Sequence, residues 1–134
     1  MPNEIEGRTC GRIPGIPLIS IVEDDDSFRS ALDNLLTSAG FEARGFSSAE
    51  AFLNSSEAPG TACLIVDVGL PGMDGLELQR RVLSANWPIP MIFMTARKDE
   101  AWRAQALSAG AVDFLYKPVE ADALLRAVDR ALRI

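Results

Sequence analysis

Asp67 closes the apolar run Ala62-Cys63-Leu64-Ile65-Val66 and opens the segment Val68-Gly69-Leu70-Pro71-Gly72-Met73-Asp74-Gly75. Other polar residues stand in the same relation to apolar runs: Glu23 and Asp24 follow Ile19-Ser20-Ile21-Val22, Thr95 follows Met91-Ile92-Phe93-Met94, and Lys117 follows Val112 to Tyr116. If these runs are parallel strands, their tips lie along one edge and Glu23, Asp24, Asp67, Thr95 and Lys117 converge. Three carboxylates within about 5 Å of one another repel by roughly 3 kcal/mol per pair at an effective dielectric of about 20. Lys117 offsets part of that, and an oxygen-rich acidic site with open positions suits Mg²⁺, which takes one or two carboxylates, waters and a phosphate oxygen. Such a site suits phosphoryl transfer, where catalysis is mainly positioning and neutralisation of charge. Asp67 is the candidate nucleophile, because a carboxylate is already ionised at neutral pH and needs no general base. The metal and Lys117 would hold two phosphoryl oxygens, and the Thr95 hydroxyl would donate to the third.

Elements able to present these residues alternate along the chain. Apolar patterning predicts strands at 18–22, 41–46, 62–67, 91–94 and 112–116, and helices at 27–39, 49–54, 76–85, 100–109 and 120–133. The first helix carries Phe28, Ala31, Leu32, Leu35 and Leu36 on one stripe, and the last carries Leu124, Leu125, Val128 and Leu132. Gly40 and Gly110 stand where a left-handed residue ends a helix; Trp87-Pro88 ends another. Ser47 and Glu50 match a capping box at the second helix. Strict strand-helix alternation predicts a parallel sheet covered by helices on both faces, joined by right-handed crossovers. In such sheets the ligand crevice lies at the carboxyl ends of the strands. Residues 1–17 contain three prolines and three glycines without an apolar period and read as a flexible tail, with a single domain at 18–134.

Composition excludes several function classes. The 134 residues fit one domain, and 48% hydrophobic with 24% charged residues is ordinary for a globular chain. No apolar stretch approaches the roughly 20 residues needed to span a membrane. The N-terminus lacks the basic and apolar regions of a secretory leader, so a cytoplasmic location is expected. A net charge of −6 argues against direct nucleic-acid binding. The absence of histidine excludes Ser/His and Cys/His nucleophile systems and His-containing metal sites. Cys10, in the Gly/Pro-rich tail, and Cys63, inside an apolar run, do not suggest a disulfide framework or a zinc site.

Four segments, in this order, are similar to the motifs of response-regulator receiver domains of two-component signalling: Ile21-Val22-Glu23-Asp24-Asp25, Asp67 with Leu70-Pro71-Gly72-Met73-Asp74-Gly75, Phe93-Met94-Thr95-Ala96, and Gly110-Ala111-Val112-Asp113-Phe114-Leu115-Tyr116-Lys117-Pro118. The resemblance spans residues 18–134. It implies a flavodoxin-like (βα)5 three-layer sandwich with strand order 2-1-3-4-5, like the CheY superfamily. It further implies that Asp67 is the phosphoacceptor, that Asp24 and Asp67 ligate Mg²⁺ directly, and that the Gly69 backbone carbonyl completes the protein ligands. Glu23, where many receivers have Asp, would act through a metal-bound water. Lys117 would pair with the phosphoryl group, Thr95 would be drawn toward it, and Phe114 would change rotamer as Thr95 moves. Lys117-Pro118 is expected to be a cis peptide. Arg97 and Gly69 occupy positions that influence how long the phosphoryl group survives.

The partners so implied are a sensor histidine kinase or histidine phosphotransfer protein, and a possible homodimer through the surface of the fourth helix, fifth strand and fifth helix. The chain is expected to be no enzyme beyond catalysing its own aspartyl phosphorylation and dephosphorylation. A haloacid-dehalogenase-type phosphatase uses a similar residue set, but it would need a second Asp two residues after the nucleophile, where this chain has Gly69. A flavin-binding module of the same fold would need a Ser/Thr-rich phosphate loop after the first strand, and none is present.

Overall fold

Three short, buried apolar runs and two more mixed ones become the five strands of a central sheet in a computed structural model describing residues 15–133. They are β1 (Leu18–Val22), β2 (Glu42–Phe46), β3 (Cys63–Asp67), β4 (Met91–Thr95) and β5 (Asp113–Tyr116). The helices are α1 (Asp26–Ser38), α2 (Ala49–Leu53), α3 (Gly75–Ser84), α4 (Glu100–Ser108) and α5 (Ala121–Leu132), with a 3₁₀ turn at Ala58–Gly60. All strands pair in parallel, in the order β2-β1-β3-β4-β5. Most of the expected flexible tail at 1–17, Cys10 included, lies outside the described residues. At its end, the Pro17 carbonyl accepts a hydrogen bond from the Glu42 N–H at 3.1 Å.

Alternation along the strands divides the core in two. Ile19, Ile21, Cys63, Ile65, Ile92 and Met94 face Leu32 and Leu36 of α1 and Leu124, Ala127, Val128 and Ala131 of α5. Val22, Leu64, Val66, Met91 and Phe93 face the other way, against Phe52 of α2, Leu76, Leu78 and Val82 of α3, and Ala106 of α4. Both faces of β1, β3 and β4 are thus covered, as their uninterrupted apolar sequences require. Burial pushes the Cys63 thiol up to about 12. Within its layer α4 is lightly anchored: Ala106 is its one buried residue. Its carbonyl accepts a bond from the buried Gln79 side chain of α3 at 3.1 Å.

Two local expectations are corrected. The cap of α2 is Ser48, whose Oγ accepts from the Ala51 N–H at 3.0 Å, one residue beyond the predicted Ser47. Glu50 closes no capping box; its carboxylate reaches across to accept from the Met73 N–H at 3.2 Å. After α3 the left-handed residue is Asn86, at φ 58°, ahead of the Trp87-Pro88 pair. Gly40 and Gly110, at φ 96° and 102°, end α1 and α4 as their positions predict.

Candidate functional site

The parallel sheet delivers one polar residue at the end of each of four strands. The Glu23 N–H still bonds to the Phe46 carbonyl at 3.0 Å, so the residue leaves β1 in an extended conformation and its side chain is 1% exposed. Asp25 then caps α1, accepting from the Phe28 N–H at 3.0 Å, while its own N–H donates to Glu23 Oε2 at 3.0 Å. That short turn buries Glu23 and leaves Asp24 exposed. Asp67 is the last residue of β3, and its Oδ1 accepts from the Gly69 N–H at 3.0 Å. Lys117 leaves β5 with its N–H bonded to the Thr95 carbonyl at 2.8 Å, and the Lys117-Pro118 peptide is cis.

These placements bring the predicted charged residues together. The Lys117 ammonium donates to Glu23 Oε1 at 2.7 Å and to Asp67 Oδ2 at 3.1 Å. One carboxylate oxygen from each of Glu23, Asp24 and Asp67 lies within 4.8 Å of the others. Burial raises the Glu23 carboxyl above its ordinary value, against the lowering effect of its bond to Lys117. For Lys117 burial opposes the charge, yet the bonds to Glu23 and Asp67 outweigh it and hold the ammonium above its usual value. Three carboxylates and one ammonium leave a formal charge of −3 + 1 = −2. The donor atoms are all hard carboxylate oxygens, a set that fits a small divalent cation better than a soft transition metal.

Thr95 ends β4, the strand next to β3, and Phe114 lies on the adjoining β5. Thr95 is buried at the tip of β4, with its Oγ1 accepting from the Arg97 N–H at 3.1 Å. Phe114 is 5% exposed and packs between Phe93, 6.2 Å away, and Tyr116, 5.7 Å away in edge contact. The Gly69 N–H points to Asp67 Oδ1.

Two residues of α1 escape sequence reasoning. Arg29 donates from Nη1 to the Glu23 carbonyl at 2.8 Å and from Nη2 to Asp26 at 2.6 Å, tying the acidic turn to the helix. The spacing from Asp26 signals an ion pair, but a main-chain acceptor leaves no mark in sequence. Phe28 presents its ring to Lys117, with the ammonium 4.6 Å from the ring centroid. Arg29→Ala is expected to lower stability by about 1–2 kcal/mol, the worth of a partly covered charged hydrogen bond. Urea unfolding should show an earlier midpoint at unchanged slope; an unchanged midpoint would mean the turn holds itself.

A family model for the response regulator receiver domain matches residues 19–129. The chain belongs to that family. Among curated relatives, this receiver domain is 39% identical over 115 residues to the transcriptional regulatory protein FixJ of Bradyrhizobium diazoefficiens, covering 86% of this chain and 56% of that one. It is 43% identical over 111 residues to nodulation protein W of the same organism, covering 83% and 49%. The receiver chain thus spans about half the length of the curated relatives it matches. Among solved structures, the crystal structure of FixJ-N aligns at a TM-score of 0.79 with 36% identity, covering 87% of this chain and 94% of that one. The BeF3-activated DrrB receiver domain aligns at 0.79 with 28% identity, covering 89% and 99%. The receiver's sheet order and two helical layers are the flavodoxin-like, CheY-like arrangement. Its place is in two-component signalling. Among the described residues no helix is long and apolar enough to cross a membrane.

Proposed function

We propose that this receiver accepts a phosphoryl group on Asp67 from the phosphohistidine of a sensor kinase or phosphotransfer protein. The observation that carries the reading is the contact of Asp67 Oδ2 with the Lys117 ammonium at 3.1 Å, inside an acidic group that keeps two uncompensated charges. Lys117 and the Gly69 N–H orient the Asp67 carboxylate from two sides. A carboxylate oxygen attacks phosphorus, the P–N bond of the donor breaks, and the leaving imidazole keeps the electron pair and takes a proton from water. Water later cleaves the acyl phosphate and restores Asp67, so the chain is modified and reset without turning over other substrates.

Asp24 and Asp67 would hold Mg²⁺ directly, with the Gly69 carbonyl and, through a water, Glu23. Bound Mg²⁺ would supply the two positive charges that Lys117 leaves wanting and neutralise phosphoryl oxygens. Lys117 would meet one of those oxygens and the Thr95 hydroxyl another. For Thr95 to do so, its Oγ1 gives up its place as acceptor for the Arg97 N–H, which moves the loop entering α4. Phe114 then repacks, and the altered α4-β5-α5 surface signals to an output partner or a second copy of the chain. The reading places the protein in the cytoplasm.

Incubation with Mg²⁺ and a small acyl-phosphate donor, followed by intact mass, tests the proposal. Wild type is expected to gain one phosphoryl group and Asp67→Ala none. Equal gain by both proteins, or no gain by wild type, would overturn it.

A further inference from the structure

The Lys117 ammonium has three N–H groups, and the two carboxylates occupy two directions around it. On another side lies the Phe28 ring, 4.6 Å from Nζ. A cation over the face of an aromatic ring is attracted by the ring quadrupole. Phe28 is itself held in place: its N–H is bonded to the Asp25 side chain, and it is partly buried against the core shared by α1 and α5. The turn that carries Glu23 and Asp24 therefore also seats the ring that lies on Lys117. The lysine side chain is 20% exposed, so the ring also occupies space that water would otherwise take beside the ammonium.

We propose that Phe28 is a positioning residue for phosphoryl transfer, its ring holding the Lys117 ammonium against Glu23 and Asp67. The inference rests on the reading of Asp67 as phosphoacceptor. A lysine stem is flexible and loses rotamer freedom when its head is fixed. A cation whose place is set before the donor arrives needs no reorganisation when charge develops on the phosphoryl oxygens. In this scheme Phe28 acts through Lys117.

The test compares wild type, Phe28→Leu, Phe28→Tyr, Lys117→Ala and the Phe28→Leu/Lys117→Ala double variant. Phe28→Leu is expected to slow phosphoryl incorporation from a small acyl-phosphate donor by about 3- to 10-fold, the scale of a cation–π contact. Phe28→Tyr, which keeps the ring, should restore the rate. In the Lys117→Ala background, Phe28→Leu should produce no further slowing, because the contact is already gone. NMR of the metal-free proteins gives a readout independent of phosphorylation. The Lys117 ε-methylene protons should be shifted upfield by the ring in wild type and Phe28→Tyr, and released in Phe28→Leu. Equal slowing by Phe28→Leu with and without Lys117, or an unshifted ε-methylene in wild type, overturns the inference while leaving Asp67 as acceptor. Absence of any phosphoryl gain in wild type overturns the reading of the site and this role with it.

Discussion

Lys117→Met is expected to slow phosphoryl incorporation at Asp67 by about 10²- to 10³-fold, the usual loss when a preset group facing developing negative charge is removed. The same change is expected to lower stability by about 2–4 kcal/mol at neutral pH, because it strips the ammonium from a buried carboxylate. Methionine keeps an unbranched stem, so the loss reports mainly the charge. Glu23, with a side chain 1% exposed, would keep its bond from the Asp25 N–H but lose the ammonium. Its carboxyl already lies above the ordinary 4.5 through burial, and loss of the ammonium moves it further up. A carboxyl raised in the folded state contributes stability that is present below its unfolded value and is lost as pH rises through the folded one. The deficit of the variant against wild type should therefore be small near pH 4 and grow toward pH 7. Urea unfolding of both proteins across that range, with metal chelated, measures it; parallel curves would show that Lys117 does not offset Glu23.

Gly75→Ala is expected to cost about 1–3 kcal/mol and to slow phosphoryl incorporation as well. A Cβ at this position would stand 2.9 Å from the carbonyl oxygen of Asp67, 3.0 Å from Val66 Cγ1 and 3.0 Å from the Cα of Val68. Two of those atoms are backbone and none is the far end of a flexible side chain. The Gly75 N–H is also bonded to the Val68 carbonyl at 3.1 Å, so α3 starts flush against the end of β3. To admit the methyl, either the helix start or the strand tip that carries Asp67 must move. Gly69→Ala is the control, since a Cβ there meets nothing nearer than Asp67 Oδ1 at 3.8 Å. Thermal melts and initial rates for both variants decide the matter. A Gly75→Ala protein within roughly half a kcal/mol of wild type would show that the helix start yields freely.

The glycines after Asp67 also show where sequence reasoning stops. Gly69, Gly72 and Gly75 look alike in the string that follows Asp67, yet Gly75 is held by close approach, Gly72 by φ 74°, and Gly69 by neither. The large features are legible because they rest on period and composition. Runs such as Leu64-Ile65-Val66 and Met91-Ile92-Phe93-Met94 suit a strand covered on both faces, and the order of elements then dictates a parallel sheet. That inference places Glu23, Asp24, Asp67, Thr95 and Lys117 at one edge, where the structure has them. What escapes is any contact set by long-range geometry with a weak local signal. Glu50 pairs with Met73 across 23 positions and so vacates the capping box that its spacing from Ser47 suggests. Arg29 ends on a main-chain carbonyl, and Phe28 reads as one more apolar residue on the α1 stripe until β5 brings Lys117 over it.

The ion pairs of the site join residues 94 and 50 positions apart, Lys117 to Glu23 and Lys117 to Asp67. During synthesis at about 5–20 residues per second, Glu23 precedes Lys117 by roughly 5 to 20 s. Over that interval the nascent chain carries its acidic residues without the cation that unites them, and β4 still lacks its outer neighbour. The last strand to be made completes both sheet and site.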